Sequence, residues 1–167
     1  MGSAPKIRRA TPDDAAGLLR VLAGISAEGK FTAISEPWPV EGQRRYLESL
    51  SAREAVHVAM DKAGVVIGYQ TLDLWAPTLA SMAHVGQVGT FLAPDWRRGG
   101  IGQALFQTTL DFARERGYGK FVIQVRASNV GAQGFYARLG FRECGRLTRQ
   151  VRIDGREEDE ILMERFL

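Results

Sequence analysis

The chain has 167 residues, 45% of them apolar and 25% charged, so it is long enough to bury a complete core and has a common length for one domain. Its net charge of +3 is too small to indicate a nucleic-acid partner. The sequence contains no run of about 18 apolar residues and does not start with an export-signal pattern, so we expect neither a membrane span nor export.

Cysteine and histidine are scarce. The single cysteine, Cys144, cannot form an internal disulfide, and His57 and His84 lie too far from it in sequence to give a zinc-binding spacing. We therefore expect one domain over residues 1–167, flexible at residues 1–4, that works in the reducing cytoplasm without a metal.

Strand and helix patterns alternate from the N-terminus. Residues 6–10 predict a short strand, and Thr11 as N-cap with Pro12 at the first helical position begins a helix that includes Ile25. A second helix is predicted at 40–50, after a proline-containing loop that suits a ligand better than a core.

The remaining elements continue this alternation. The sequence predicts strands at 55–60, 65–75, 82–93 and 120–125, helices at 100–116 and 129–140, and a terminal hairpin turning at Asp154-Gly155. This order predicts an α/β fold with a mixed central sheet of about seven strands and helices on both faces. The two strands that flank the 100–116 helix should run parallel.

A glycine-rich turn, DWRRGGIGQ at 95–103, joins a predicted strand to the 100–116 helix. Such a turn leaves backbone N–H groups unpaired at the positive end of a helix dipole, which favours a phosphate group. Glycine lets the backbone approach closely, and Arg97 and Arg98 can contact phosphate oxygens. The alternative is a sharp turn that uses glycine only for its positive φ.

Two other glycine motifs do not fit this turn. A dinucleotide-binding fingerprint needs Gly or Ala where Leu105 stands, and no acidic residue follows at the expected distance. A Walker A loop needs Gly-Lys-Ser/Thr, whereas Gly102 is followed by Gln103 and Ala104.

Two motifs in register resemble those of the GNAT family of N-acetyltransferases. The run Arg97-x-x-Gly100-x-Gly102 is similar to the family's Arg/Gln-x-x-Gly-x-Gly/Ala motif, which wraps the pyrophosphate of acetyl-CoA. Residues 129–141, NVGAQGFYARLGF, resemble the family's second signature, Asn-x-x-Ala-x-x-x-Tyr-x-x-x-Gly-Phe. The element order agrees as well, and the layout is most similar to the bacterial phosphinothricin and amino-acid N-acyltransferases.

The resemblance implies a GNAT fold in which the strand before the glycine turn separates from its parallel neighbour and holds acetyl-CoA as co-substrate. The expected pantetheine contacts are Phe91 and Leu92, and the expected pyrophosphate contacts are Arg97, Arg98, Gly99, Gly100, Ile101, Gly102 and Gln103. A backbone N–H near Leu92 would face the thioester carbonyl and stabilise the developing oxyanion.

By the same resemblance, Tyr136 is the general acid that protonates the leaving thiolate. A phenol with a pKa of about 10 is close to a thiol in basicity, which suits this role. Alternatively, Tyr136 only packs beside Phe135 and Leu139. Asn129 is expected to cap its helix, to bind the pantetheine amide, or to do both.

The general base is not singled out by the sequence. Glu36 lies in the loop that lines the acceptor pocket of the resembled family, and His84, on the strand leading to the cofactor site, has a suitable intrinsic pKa. Asp73 is a third candidate, and His84 has an alternative interpretation as an ordinary strand residue. Cys144 is expected to be a packed thiol rather than a nucleophile.

The resemblance implies direct attack on the thioester by a small primary amine, such as an amino acid or an amino-acid-like compound. Open alternatives are a protein N-terminus, a lysine or an aminoglycoside as acceptor, and a CoA-binding module without turnover. Trp38 is a candidate for substrate contact. Pairing through the C-terminal hairpin or apolar residues around Trp75 would allow a homodimer.

Overall fold

In the computed structural model, which describes residues 5–34 and 36–167, a seven-stranded sheet carries α-helices on both faces. The predicted order of strands and helices agrees with the structure, and the predicted α/β class with a mixed sheet is confirmed. Residues 1–4, which the sequence predicts to be flexible, lie outside the described residues.

The elements are defined in chain order. The strands are β1 (Lys6–Arg9), β2 (Ala55–Met60), β3 (Val66–Leu74), β4 (Val85–Leu92), β5 (Lys120–Arg126), β6 (Arg142–Ile153) and β7 (Arg156–Phe166). The helices are α1 (Ala15–Ala27), α2 (Val40–Ser49), α3 (Ile101–Glu115) and α4 (Val130–Arg138).

Local sequence signals explain several boundaries. Asp14 accepts a hydrogen bond of 2.7 Å from the backbone N–H of Thr11, which fixes the turn that leads into α1. Asp154 and Gly155 both have a positive φ, 50° and 73°, as a two-residue turn of the hairpin type requires, so the predicted terminal hairpin is confirmed.

The helices cover the sheet in two layers. One apolar core packs α1 and α2 against β2 and β3 and contains Leu18 and Val58. The other packs α3 and α4 against β5 and β7 and contains Phe106 and Phe121. Each fully buried side chain of this kind contributes about 1.5–3 kcal/mol of hydrophobic stabilisation.

The sheet has one parallel pair, β4 with β5, in the order β1-β2-β3-β4-β5-β7-β6. These two strands pair only over the three positions from Val85–Lys120 to Gln87–Val122. Beyond that point β4 stays paired with β3, and β5 with β7, but β4 and β5 separate. The expected splayed sheet is therefore present, and it opens towards the C-terminal ends of both strands.

The edges of the sheet are β1 and β6. Cys144, predicted to be packed, is instead exposed on β6. The pairing of β6 with β7 is irregular between Glu143 and Gly145, and Cys144 therefore has no partner in register on β7, which explains its exposure. Trp75 is 37% exposed after β3, and a homodimer through these surfaces stays a prediction.

Substitution of Gly68 by Ala tests the close contact between β3 and β4. A Cβ atom at Gly68 would lie 2.3 Å from Leu92 Cδ2 and 2.9 Å from the carbonyl oxygen of Phe91. Because the second neighbour is backbone, we expect Gly68→Ala to lower the free energy of unfolding by about 1–3 kcal/mol, measured by urea denaturation.

The matched control is Gly24→Ala on the exposed side of α1, where a Cβ atom would meet nothing within 4 Å. Alanine is the better helix former, so this change should raise the free energy of unfolding by about 0.5–1 kcal/mol. Equal effects of the two substitutions would contradict the proposed close contact at Gly68.

Candidate active site

A cleft of about 720 Å³ opens where β4 and β5 separate, and we call it the large cleft. The end of β4, the glycine turn, the start of α3 and one side of α4 form its walls. Of the residues predicted to bind the cofactor, it is lined by Phe91, Leu92, Arg97, Arg98, Gly100, Gly102, Gln103 and Asn129.

The glycine turn presents a row of open backbone amides. Arg98 and Gly100 have positive φ values of 63° and 81°, so the chain turns sharply just before α3. Within residues 5–34 and 36–167, the backbone N–H groups from Arg98 to Gln103 have no protein acceptor. A left-handed residue other than Gly costs about 1–2 kcal/mol, so this conformation is held by the surrounding structure. The arrangement suits a bound anion.

The two arginines of the turn have different surroundings. Arg97 forms a two-pronged ion pair with Glu28, at 2.5 and 2.9 Å, and donates to the carbonyl of Leu92 at 3.3 Å. This hydrogen bond also holds the pKa of Glu28 below its usual range. Arg98 lines the large cleft, and its side chain forms no hydrogen bond with the part of the chain that the structure describes. Arg97 therefore fastens the turn to the end of α1, and Arg98 is the arginine available to a ligand.

Three residues of the turn can contribute only backbone groups. Ile101 is 5% exposed and packs with Leu105, so its side chain belongs to the core. Gly99 does not line the large cleft. At Gly102 a Cβ atom would lie 3.1 Å from the Phe135 ring, so any larger residue would crowd α4 where α3 approaches it.

The edge of β4 that faces the gap carries unpaired backbone groups. The N–H of Ala93 donates to Ile67 on β3, and backbone direction alternates along a strand. The N–H of Leu92 therefore points away from β3, into the gap. By the same alternation the backbone of Phe91 faces β3, and the backbone groups that face the gap belong to Thr90 and Leu92, so the expected pantetheine contact by Phe91 stays a prediction. The Phe91 ring still lines the cleft.

Tyr136 lies at the inner end of the large cleft. Its hydroxyl is 2.8 Å from Thr90 Oγ1, which also accepts a 2.8 Å hydrogen bond from Gln70 Nε2. Burial raises the pKa of Tyr136 to about 12, partly opposed by the hydrogen bond with Thr90, so the phenol is neutral at physiological pH. Tyr136 also packs edge-on against Phe141, which supports its predicted packing role, while its role as the general acid stays a prediction.

Asn129 begins α4 as predicted. Its side-chain oxygen accepts a hydrogen bond of 3.1 Å from the N–H of Ala132, which confirms the N-cap role. Its Nδ2 group points towards the carbonyl of Phe31 at 3.5 Å. Because Asn129 also lines the large cleft, the proposed ligand role remains compatible with this position.

A second cleft of about 360 Å³, the small cleft, lies on the other side of the gap. Residues 31–34 of the α1–α2 loop cover it, and β3, β4, β5 and β7 form its floor. The residues common to both clefts are Phe31, Thr90, Phe91, Asn129, Ala132 and Tyr136. The two clefts therefore meet beside the hydroxyl of Tyr136.

Two carboxylates line the small cleft. Asp73 accepts a 2.6 Å hydrogen bond from Tyr46, and burial raises its pKa. Glu160, which sequence reasoning missed, is 8% exposed, and its pKa is also raised by burial. Its place in the cleft depends on strand pairing, because β7 places Glu160 opposite Arg126 of β5.

Arg126 was missed as well. It forms an ion pair with Glu158 at 2.5 Å and donates to the carbonyl oxygens of Gly29 and Thr32, at 2.9 and 3.3 Å. These contacts fasten the α1–α2 loop over the small cleft. The sequence offers one signal for Arg126, namely a charged residue directly after the apolar run of β5.

The model of the acetyltransferase (GNAT) family matches residues 25–141, which include the glycine turn and α4. The chain belongs to this family. The L-methionine sulfoximine/L-methionine sulfone acetyltransferase of Pseudomonas aeruginosa is 30% identical to it over 161 residues, covering 95% of this chain and 92% of the relative. The family assignment made from the two sequence motifs is therefore confirmed.

Solved structures agree with the fold of this acetyltransferase. The ribosomal-protein-alanine N-acetyltransferase of Brucella melitensis superposes with a TM-score of 0.87, at 28% identity over 97% of this chain and 99% of that one. The phosphinothricin acetyltransferase of Sinorhizobium meliloti, solved in complex with acetyl-CoA, has a TM-score of 0.89 at 20% identity, over 98% and 89% of the two chains.

Glu36 and His84, the first two candidates for the base, lie outside the clefts of the acetyltransferase. His84 is exposed just before β4, at the end where β4 and β5 are still paired, so the length of the strand separates it from Leu92. The apolar pattern that begins at Met82 predicts a strand that includes His84, whereas β4 begins at Val85. Glu36 is exposed on the α1–α2 loop and lines neither cleft.

Two other residues considered in the sequence analysis also lie outside the two clefts. Trp38 is 42% exposed and donates its indole N–H to Gln43 at 2.6 Å, and neither Trp38 nor Cys144 lines a cleft. Among the residues that the structure describes, no three His, Cys, Asp or Glu side chains cluster as a metal would require. In the same residues, no helix has the length and apolar character needed to cross a membrane.

Thr90→Val tests the hydrogen bonds around Tyr136. Gln70 is fully buried, and its Oε1 atom already lacks a protein partner among the described residues. Valine would leave Gln70 Nε2 and the Tyr136 hydroxyl unpaired too, so we expect the free energy of unfolding to fall by about 1–3 kcal/mol in urea denaturation.

Thr90→Ser is the matched control because it keeps the hydroxyl group. It should retain most of the stability that valine loses, apart from the contribution of one methyl group. A serine variant as unstable as the valine variant would show that the methyl group contributes as much to stability at this position as the hydrogen bonds do.

Proposed function

We propose that this acetyltransferase uses acetyl-CoA to acetylate the primary amine of a small molecule, an amino acid or an amino-acid-like compound, by direct attack on the thioester. The meeting of the two clefts beside Tyr136 carries this proposal. A cofactor in the large cleft and an amine in the small cleft would place their reactive groups at one point.

The large cleft fits the chemical groups of acetyl-CoA, which supplies an acyl thioester when bound. The open amides of the residues that line it, Arg98, Gly100, Gly102 and Gln103, together with the Arg98 guanidinium, match the negative charge of a pyrophosphate. The open edge of β4 at Thr90 and Leu92 matches the amide groups of a pantetheine arm, which can hydrogen-bond as an added strand does.

Two groups of the chain are proposed to act on the reacting atoms. The N–H of Leu92 points into the gap and would donate to the thioester oxygen as negative charge develops there. Tyr136 would supply a proton to the departing sulfur. Its raised pKa keeps the proton on the phenol until that moment, and Thr90 stabilises the oxygen afterwards.

The full-length likeness to the Pseudomonas aeruginosa enzyme supports the amino-acid-like acceptor. That enzyme's name states that it acetylates L-methionine sulfoximine and L-methionine sulfone. The small cleft, with its volume of about 360 Å³, has room for a molecule of this size.

A peptide N-terminus is a second candidate acceptor, favoured by the charges of the small cleft. Arg126 is the one Lys or Arg among the described residues that line it, and Arg126 is bound to Glu158. A free amino acid needs a cation for its carboxylate, whereas a peptide N-terminus does not. The N-alpha-acetyltransferase RimI of Mycobacterium tuberculosis is 29% identical over 128 residues.

Location, assembly and metal use belong to the same proposal. The single cysteine favours a reducing compartment, so we propose that the enzyme works in the cytoplasm. The proposed chemistry uses an amide N–H and a phenol and requires no metal. A homodimer that pairs through β6 is compatible with its place at the edge of the sheet.

Arg98→Ala tests the proposed pyrophosphate contact. Loss of one charge-assisted hydrogen bond, which contributes about 1.5–3 kcal/mol, should weaken the binding of CoA at least tenfold in calorimetry. The control is Arg156→Ala, at an exposed arginine of the C-terminal hairpin, which should leave the affinity unchanged. Equal affinity of the Arg98 variant and the native protein would remove this contact from the proposal.

Tyr136→Phe, assayed on a panel of amines, tests the reaction itself. The native protein should release free thiol from acetyl-CoA with at least one amine, and the variant should turn over about 100-fold more slowly because it lacks the acidic proton. Its affinity for CoA should stay within twofold of the native value, since phenylalanine keeps the ring contacts.

The panel also separates the alternatives. Methionine sulfone, its amide and a short peptide present the same kind of amine with and without a free carboxylate, so their relative rates distinguish the two acceptor classes. Binding of CoA with no thiol release for any amine would identify a binding module instead of an enzyme. An equal loss of affinity and turnover in Tyr136→Phe would assign Tyr136 to binding.

A further inference from the structure

An amine that arrives as an ammonium ion must lose a proton before its nitrogen can attack. The group that takes the proton has to line the small cleft. The titratable side chains that line it, among residues 5–34 and 36–167, are Asp73, Arg126, Tyr136 and Glu160. The base must therefore be one of these four residues, given the acetyl transfer proposed above.

Three of the four are already engaged. Arg126 is a cation bound to Glu158, and the Tyr136 phenol stays protonated. Asp73 accepts the Tyr46 hydroxyl at 2.6 Å, so one of its oxygens is occupied by a strong donor. Of the two carboxylates, Asp73 is therefore held by a short hydrogen bond of 2.6 Å, whereas Glu160 accepts only a long one of 3.5 Å and is the more available.

The contacts of Glu160 leave it available. Its single hydrogen bond to the described part of the chain is a long one, 3.5 Å from Gln124 Nε2 to Oε2, and Oε1 has no protein donor there. Gln124 itself accepts a 3.0 Å hydrogen bond from Gln87 Nε2. These two amides cross the floor of the small cleft from β4 to β7 and orient the Glu160 carboxylate.

Strand geometry places Glu160 on the acceptor side of the sheet. Its neighbour Ile161 packs in the core under α3 and α4, and side chains alternate along a strand. Glu160 therefore points to the opposite face, under the α1–α2 loop. Tyr136 belongs to the α3–α4 side, so the two groups approach the reaction point from opposite faces of the gap.

We propose that the carboxylate of Glu160 binds the acceptor ammonium and takes its proton, and that it is the general base of this enzyme. The surrounding charges act in both directions. Burial and Glu158 raise the pKa of Glu160, while Arg126 opposes them. Asp73 across the cleft is a further anion, and the covering loop segment 31–34 carries no titratable side chain.

The ammonium nitrogen loses two protons in each turnover. The ammonium gives one proton to Glu160, and the nitrogen lone pair then forms the N–C bond to the acyl carbon while the C–S bond breaks. The sulfur takes a proton from Tyr136, and the second proton lost by the nitrogen restores the phenol. Glu160 releases its proton to solvent, so each turnover yields one amide, one thiol and one free proton.

Glu160→Gln is the decisive substitution, because it keeps the size of the side chain and removes its basicity. With an amine that the native enzyme acetylates, kcat/KM should fall at least about 100-fold at neutral pH. The acidic limb of the native pH–rate profile should disappear in the variant. The affinity for CoA, measured by calorimetry, should not change.

Glu164→Gln is the matched control. Glu164 lies on the same face of β7 four residues further on, is also 8% exposed, and pairs with Lys120 and Arg142. It lines neither cleft, so its substitution should leave kcat/KM nearly unchanged. A comparable loss in both variants would show a structural effect and overturn the proposal.

The basicity of the acceptor gives a readout that a structural role would not move. A β-fluorinated analogue of an active amine is less basic and is already partly neutral, so it needs less help from a base. The deficit of Glu160→Gln should therefore shrink with this analogue. An equal deficit for both amines would overturn the assignment to Glu160. The same would follow if Asp73→Asn, rather than Glu160→Gln, showed a loss of rate that shrinks with the less basic amine.

Failure of the inference can be separated from failure of the proposed function. If the native enzyme releases thiol and Glu160→Gln does so equally well, only the role of Glu160 is wrong. If the native protein releases no thiol with any amine, acetyl transfer and the role of Glu160 both fall.

Discussion

The separation of β4 from β5 is the constraint on which the site depends. A parallel pair that continued to the strand ends would hydrogen-bond the N–H of Leu92 to β5 and close both clefts. Because pairing stops at Gln87, the unpaired edge of β4 stays available to a ligand. On their other sides β4 stays paired with β3 and β5 with β7, so hydrogen bonds of the sheet are lost only along the gap.

The glycine turn and the α1–α2 loop are held at the mouth of that opening by ion pairs. Arg97 links the turn to Glu28 at the end of α1 and stacks over Phe31, 4.7 Å from the ring centre. Arg126, at the end of β5 beside the gap, donates a hydrogen bond to the backbone of the same loop. Both arginines hold these segments in position, and beside them Arg98 and the open amides of the glycine turn line the large cleft.

The sequence predicts the parts of the site that lie close together along the chain. The glycine turn, the Asn129 cap and Tyr136 belong to two compact motifs, and local spacing places each on the correct element. Glu160, Arg126 and Asp73 meet only through strand order and register, which no local pattern contains. For the same reason the sequence does not show whether the candidate bases His84 and Glu36 reach the clefts, and the structure places both outside them. Burial of Cys144 was mispredicted because an edge irregularity is not visible in apolar spacing.

Burial shifts the two proposed catalytic groups in the same direction but with different consequences. Loss of water raises the pKa of both Tyr136 and Glu160, because each is charged when deprotonated. For the phenol this keeps the proton in place until a thiolate forms nearby. For the carboxylate it strengthens a base that would otherwise be too weak to compete for an ammonium proton. One water-poor gap can thus serve an acid on one face of the sheet and a base on the other.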